Sequence, residues 1–110
     1  MERDYRDYLT DACDAMNDIS DFIRGMDFRA FSRDRKTINA VVRSLEVIGE
    51  AVKKIPDDLK HRHPEIPWKH MAAMRDKLIH EYFGVDTEIV WKVAAEELVP
   101  LKPLFEKLLK

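Results

Sequence analysis

Cysteine occurs once, at position 13, so no internal disulfide can form. No apolar run approaches the roughly 20 residues that a membrane-spanning helix needs. No segment alternates apolar and polar residues for more than a few positions, which argues against β-strands. Internal repeats, low-complexity tracts and domain linkers are also missing, and one domain over residues 1–110 is expected. The acidic start Met1-Glu2-Arg3-Asp4 has no signal-peptide character, and with the lone cysteine it points to the cytoplasm. Excess charge of one sign is missing too, since the formal net charge is -2. What is present is 45% hydrophobic and 36% charged residues, a balance of globular rather than disordered chains.

The periodicity is helical throughout. A first helix is expected from about Asp4 to Arg24, with Tyr5, Tyr8, Leu9, Ala12, Met16, Ile19, Phe22 and Ile23 as its apolar stripe and Gly25 as its stop. Cys13 falls beside Ala12 and Met16, where a small buried hydrophobe is expected rather than a nucleophile. Phe28 and Phe31, three apart, fit one short helical turn that plugs the bundle. The next helix runs from about Asp34 to Lys54, with Ile38, Val41, Val42, Leu45, Ile48, Val52 and Ile55 facing the core. Asn39, Arg43, Glu46 and Glu50 form a separate polar stripe, either a solvated face with helical ion pairs or a source of acid toward a neighbouring helix. Pro56 closes this helix, and Pro64 and Pro67 bracket a connector. A further helix is expected from Trp68 to Tyr82 or Phe83, ended by Gly84. Asp86 or Thr87 caps the last one, whose face is Val90, Val93, Ala94 and Leu98, and Pro100 and Pro103 kink or restart it. The fold class is therefore all-α, an antiparallel bundle of four to five helices.

Within the Trp68 helix lies Arg75-Asp76-Lys77-Leu78-Ile79-His80-Glu81-Tyr82. Arginine is a fork-shaped phosphate ligand that stays charged at any working pH. Histidine moves a proton easily near neutrality. The two make a minimal kit for breaking a phosphodiester without a metal, the guanidinium holding phosphate and the imidazole transferring the proton.

The string Arg-x-x-x-x-His-x-Tyr, continued as Phe83-Gly84-Val85-Asp86, resembles the signature of the HEPN superfamily, and within it the HepT-like toxins. Ile66-Pro67-Trp68-Lys69, Leu45-Glu46-Val47-Ile48-Gly49-Glu50-Ala51 and Val90-Trp91-Lys92-Val93 fit the same group, so the likeness spans roughly the whole chain. It implies an all-α bundle that dimerises and brings two motif copies to one cleft. It implies metal-independent RNA cleavage with no cofactor, by Arg75 and His80. Asp76 and Lys77 are then accessory or RNA-binding residues. It further implies an antitoxin partner, a small nucleotidyltransferase of MNT type, which in this group attaches AMP to the motif tyrosine, here Tyr82.

A helical wheel adds its own constraints. Trp68, Met71, Met74, Leu78 and Tyr82 share one apolar stripe, and Arg75 falls inside it, about 40° from Met71. A charged fork there needs either an acidic partner, such as Glu46 or Glu50, or a solvated cleft. His80 lies about 140° around from Arg75, so the long arginine wraps, the helix loosens near Glu81, or the pair comes from two subunits. Asp76 shares the face of His80 and could orient its ring. Tyr82 stacks above Arg75 by spacing, as an amphipathic edge residue or as part of the phosphate site. Ala72, Ile79 and Phe83 give this helix a second packing surface, consistent with a homodimer. With a net charge of -2, RNA binding requires the cations to be gathered locally, around Arg75 and Lys77. His61, His63, Glu65 and His70 invite comparison with a zinc site, but they lack a helical histidine pair or a cysteine, and a polar loop with no metal is the expectation. The alternative to a ribonuclease is a non-catalytic helical partner or nucleotide-binding subunit of a nucleotidyltransferase.

Overall fold

The computed structural model describes residues 3–80 and 86–110; the side chains of Arg75 and of residues 77–80 lie outside that description. Seven α-helices are present among the described residues, and no strand. Helix α1 spans Tyr5–Phe22, α2 Phe28–Ser32, α3 Arg35–Lys53, α4 Asp57–Arg62, α5 Trp68–His80, α6 Thr87–Lys92 and α7 Leu101–Leu108. None of the described helices is long and apolar enough to cross a membrane.

Aspartates set the helix starts. Asp4 caps α1 in a reciprocal capping box with Asp7, and Asp27 and Asp34 cap α2 and α3 by accepting from the N–H groups of Ala30 and Thr37. Each satisfies a donor that the first helical turn leaves without a partner. Backbone donation from Thr37 holds the Asp34 carboxyl below its ordinary range, helped by the Thr37 hydroxyl. Gly25 takes φ +77° just after α1, a conformation that side chains with a Cβ resist, and the chain turns there into α2.

Helix α3 is the centre of the bundle, with α1 on one side and α5 on the other. Its Val41, Leu45, Ile48 and Val52 are buried against Leu9, Ala12, Met16 and Ile19 of α1 and Met71 of α5 in one core cluster. Phe31 is fully buried, its ring 5.2 Å from that of Trp91, so α2 does plug the bundle. Phe22 departs from the expected stripe: it is 40% exposed, at the C-terminal edge of α1. Cys13 is buried, and burial first, then Glu106 and Asp14, pushes its thiol up to about 11. It is thus a protonated packing residue at neutral pH.

Two departures come from prolines. The segment after Pro56 is not a plain connector: Asp57–Arg62 forms α4, with acids in its first turn and Lys60, His61 and Arg62 in its last, both signs matched to the helix dipole. Farther on, Val93–Glu97 widens into a π-helical turn in which Leu98 N–H donates to the Val93 carbonyl at 3.0 Å. Pro100 offers no N–H to continue the helix, and α7 restarts at Leu101 with Pro103 inside its first turn, where the missing donor costs little.

Candidate functional site

Helix α5 carries the Arg-His motif, and its first residue anchors it. Pro67 stands just before the helix and its carbonyl accepts from Met71 N–H at 3.0 Å. Trp68 is 8% exposed; its indole N–H donates to the His63 carbonyl at 3.0 Å and its ring lies 5.5 Å from that of Phe105. Met71 and Met74 follow on the same stripe and are buried, as the wheel requires. The helix is continuous through His80, so positions 75 and 80 keep the ~140° separation of an ideal helix.

Asp76 accepts from Lys53 Nζ at 3.1 Å, a bridge between α5 and α3. Both side chains are partly exposed, 35% for Lys53 and 48% for Asp76. Sequence reasoning placed Asp76 in the motif but missed Lys53, since the two are 23 residues apart and nothing local links them. Glu46 lies 3.4 Å from Arg43 in an i,i+3 pair, which is the solvated-face reading of that stripe. Glu50 lines a cleft of about 250 Å³ between α1 and α3, with Arg3, Tyr8, Asp11 and Lys54. The side chains of Arg75, Lys77 and His80 lie outside the described residues, as do Tyr82, Phe83 and Gly84 entirely. A contact of Arg75 with Glu46 or Glu50 is therefore not part of this description.

The histidine cluster is taken apart by the fold. His61 lies in the last turn of α4 rather than in a loop, His63 Nδ1 is 3.3 Å from Glu65, and His70 Nε2 is 4.0 Å from Glu97 across to the π-helical turn. Among the described residues no three potential metal ligands converge. Ala72 is half-buried, whereas Ala73 is exposed beside Met74, Val93 and a 49% exposed Ile89 around an apolar groove of about 290 Å³.

Residues 12–108 match the family described as "Ribonuclease HepT-like". The chain is 54% identical to "Probable ribonuclease HepT" of Thermococcus cleftensis over the full length of both. It is 49% identical to "Putative RNase MJ0125" of Methanocaldococcus jannaschii over 99% of this chain and 94% of that one. It is also 34% identical to the same organism's "Gamma-glutamylcyclotransferase and putative RNase MJ0434", matching 48% of that longer protein with its whole length. No solved structure matches the chain. Matched by the family model over most of its length and by such relatives from end to end, the chain belongs to the HepT-like ribonuclease family.

Proposed function

We propose that the chain is a metal-independent endoribonuclease, a cytoplasmic toxin that acts as a homodimer and is silenced by a nucleotidyltransferase antitoxin. The observation that carries the reading is end-to-end kinship with ribonuclease-named proteins in a chain that sets Arg75 and His80 on one helix. His80 takes the proton of a ribose 2′-OH, and the oxygen attacks the adjacent phosphorus. Arg75 stabilises the charge on the pentacoordinate phosphate. The 5′-oxygen leaves as the His80 imidazolium gives up its proton to it, giving a 2′,3′-cyclic phosphate and a 5′-OH. DNA lacks the attacking hydroxyl and is not a substrate.

Two features support a dimer. Positions 75 and 80 lie about 140° apart around a continuous helix, so a pair drawn from two subunits is simpler than one drawn from a single copy. The apolar groove around Ala73, Met74, Ile89 and Val93 lies beside α5 and offers surface for a second copy. In control, AMP on Tyr82, seven positions after Arg75, adds bulk and negative charge to the motif.

The test is incubation of purified protein with total RNA in EDTA. Cleavage with cyclic-phosphate ends, none on 2′-deoxy substrate, and a dimer in light scattering are expected; intact RNA sinks the enzymatic reading. Co-expression with a neighbouring nucleotidyltransferase is expected to raise the mass of the chain by AMP units that map to Tyr82. An unmodified chain silenced in a stable complex refutes that route.

A further inference from the structure

The chain as a whole repels phosphate, with 21 acidic against 19 basic side chains. The charge is not spread evenly. Five aspartates, at 7, 11, 14, 18 and 21, fall within about 80° of arc along α1, and Asp4 caps its start. Residues 53–77 instead hold seven Lys or Arg against four Asp or Glu, together with His61, His63 and His70. Since α3 lies between α1 and α5, the acidic stripe is kept apart from the α4–α5 part of the basic segment, whereas Lys54 shares a cleft with Asp11.

Part of the basic segment lines a groove of about 420 Å³ where the end of α3, α4 and the start of α5 meet. Lys53, Lys60, His61 and Lys69 stand around it, with Trp68 and Ala72 completing the lining. Among the described residues, Asp57 is the single acid lining it. Lys53 shares its charge with Asp76, but no carboxylate lies within ion-pair distance of Lys60 or Lys69 among the described residues. Lys69 is also in register with the motif. Positions 69, 76 and 80 fall within about 40° of arc on α5, and 69 and 80 are about 16 Å apart along its axis. A strand whose reacting phosphate sits at position 80 reaches the groove within a few nucleotides.

We infer that the groove between α4 and α5 is a phosphate track that holds the single-stranded RNA flanking the cut site, with Lys60 and Lys69 as its main contacts. This rests on the ribonuclease reading above and resolves its electrostatic difficulty: attraction is local to one face, while the α1 stripe repels the strand from the other. Recognition is of the backbone, by flexible ammonium groups, so the track is indifferent to base identity.

The test measures binding apart from cleavage. The probe is a fluorescein-labelled, fully 2′-O-methylated single strand, which cannot react by 2′-OH attack, read by anisotropy over a salt series. For single strands each neutralised phosphate contributes about 0.7 to the slope of log affinity against log salt. Lys60→Ala/Lys69→Ala is expected to lower that slope by about 1.4, uniformly across sequences. Asp57→Asn is expected to tighten binding. Lys107→Ala/Lys110→Ala removes the same charge from the end of α7 and is expected to leave the slope alone. With cleavable RNA, the groove variant raises KM and leaves kcat at saturation near wild type. An unchanged slope in the groove variant overturns the track, as does an equal drop in both double variants, which makes the effect one of total charge. If the wild type cleaves no RNA, the ribonuclease reading falls, and the binding series still decides the track.

Discussion

Replacing Trp68 measures how firmly the motif helix is held. The ring is 8% exposed, packs 5.5 Å from Phe105 and ties its N–H to the His63 carbonyl. Burial of an aromatic side chain removes about 150–250 Å² from water. At ~25 cal/mol per Å² that is an upper bound of about 4–6 kcal/mol, and truncations of this kind cost about 3–5. Trp68→Ala is thus expected to cost about 4 kcal/mol, a large share of the ~5–15 kcal/mol that a domain of this kind has. Trp68→Phe keeps a ring against Phe105 but deprives the His63 carbonyl of its donor, at about 1–2 kcal/mol. Urea titration by far-UV circular dichroism reads both, at one fixed protein concentration because a dimer couples stability to it. With m near 2 kcal/mol/M, the alanine variant shifts the midpoint by about 2 M. An alanine cost below about 1.5 kcal/mol, or a phenylalanine cost equal to it, refutes the anchoring argument.

Three further outcomes are expected. His80→Ala and Arg75→Ala abolish cleavage and growth inhibition while the circular dichroism stays native; wild-type rates in His80→Ala sink the mechanism, and unfolding of Arg75→Ala makes that residue a structural partner instead. Cys13 resists thiol reagents in the native state, and its thiol, raised on folding from 9.0 to about 11, stabilises the fold fully below pH ~9. That contribution is lost as pH climbs from about 9 to 11, and Cys13→Ala removes this part of the pH dependence in urea titrations. Asp86 accepts from the N–H groups of Glu88 and Ile89 at 3.0 and 3.2 Å, so Asp86→Ala costs about 1 kcal/mol, and a change within error in the same titration refutes the cap.

The long helices were legible because local chemistry marks them. Asp4, Asp34 and Asp86 cap their helices as their type and place suggest, and the 3.6-residue stripes of α1 and α3 are the buried faces. Helix α4 escaped because six residues between prolines carry no full apolar period, although Asp57 and Asp58 followed by Lys60 and Arg62 was a readable dipole signal. The π-helical turn has no local mark beyond the prolines that follow it. Of the site, sequence identified the helix and the buried stripe of Trp68, Met71 and Met74. It could not identify the Lys53–Asp76 bridge or the groove, since both join residues from separate helices. Arg75, His80 and Tyr82 were singled out by spacing and resemblance, and their side chains lie beyond what the structure describes.

The separation of the α1 aspartates from the α4–α5 lysines has a consequence at the purification bench. A sequence pI of about 6.1 predicts a protein that adheres to anion exchangers at neutral pH and ignores cation exchangers. A charged matrix, however, meets one face at a time, and at ~0.1 M salt the Debye length of about 10 Å screens the far face from it. Such a molecule turns its lysine side to a sulfonate resin and its aspartate side to a quaternary amine. It should be retained by both.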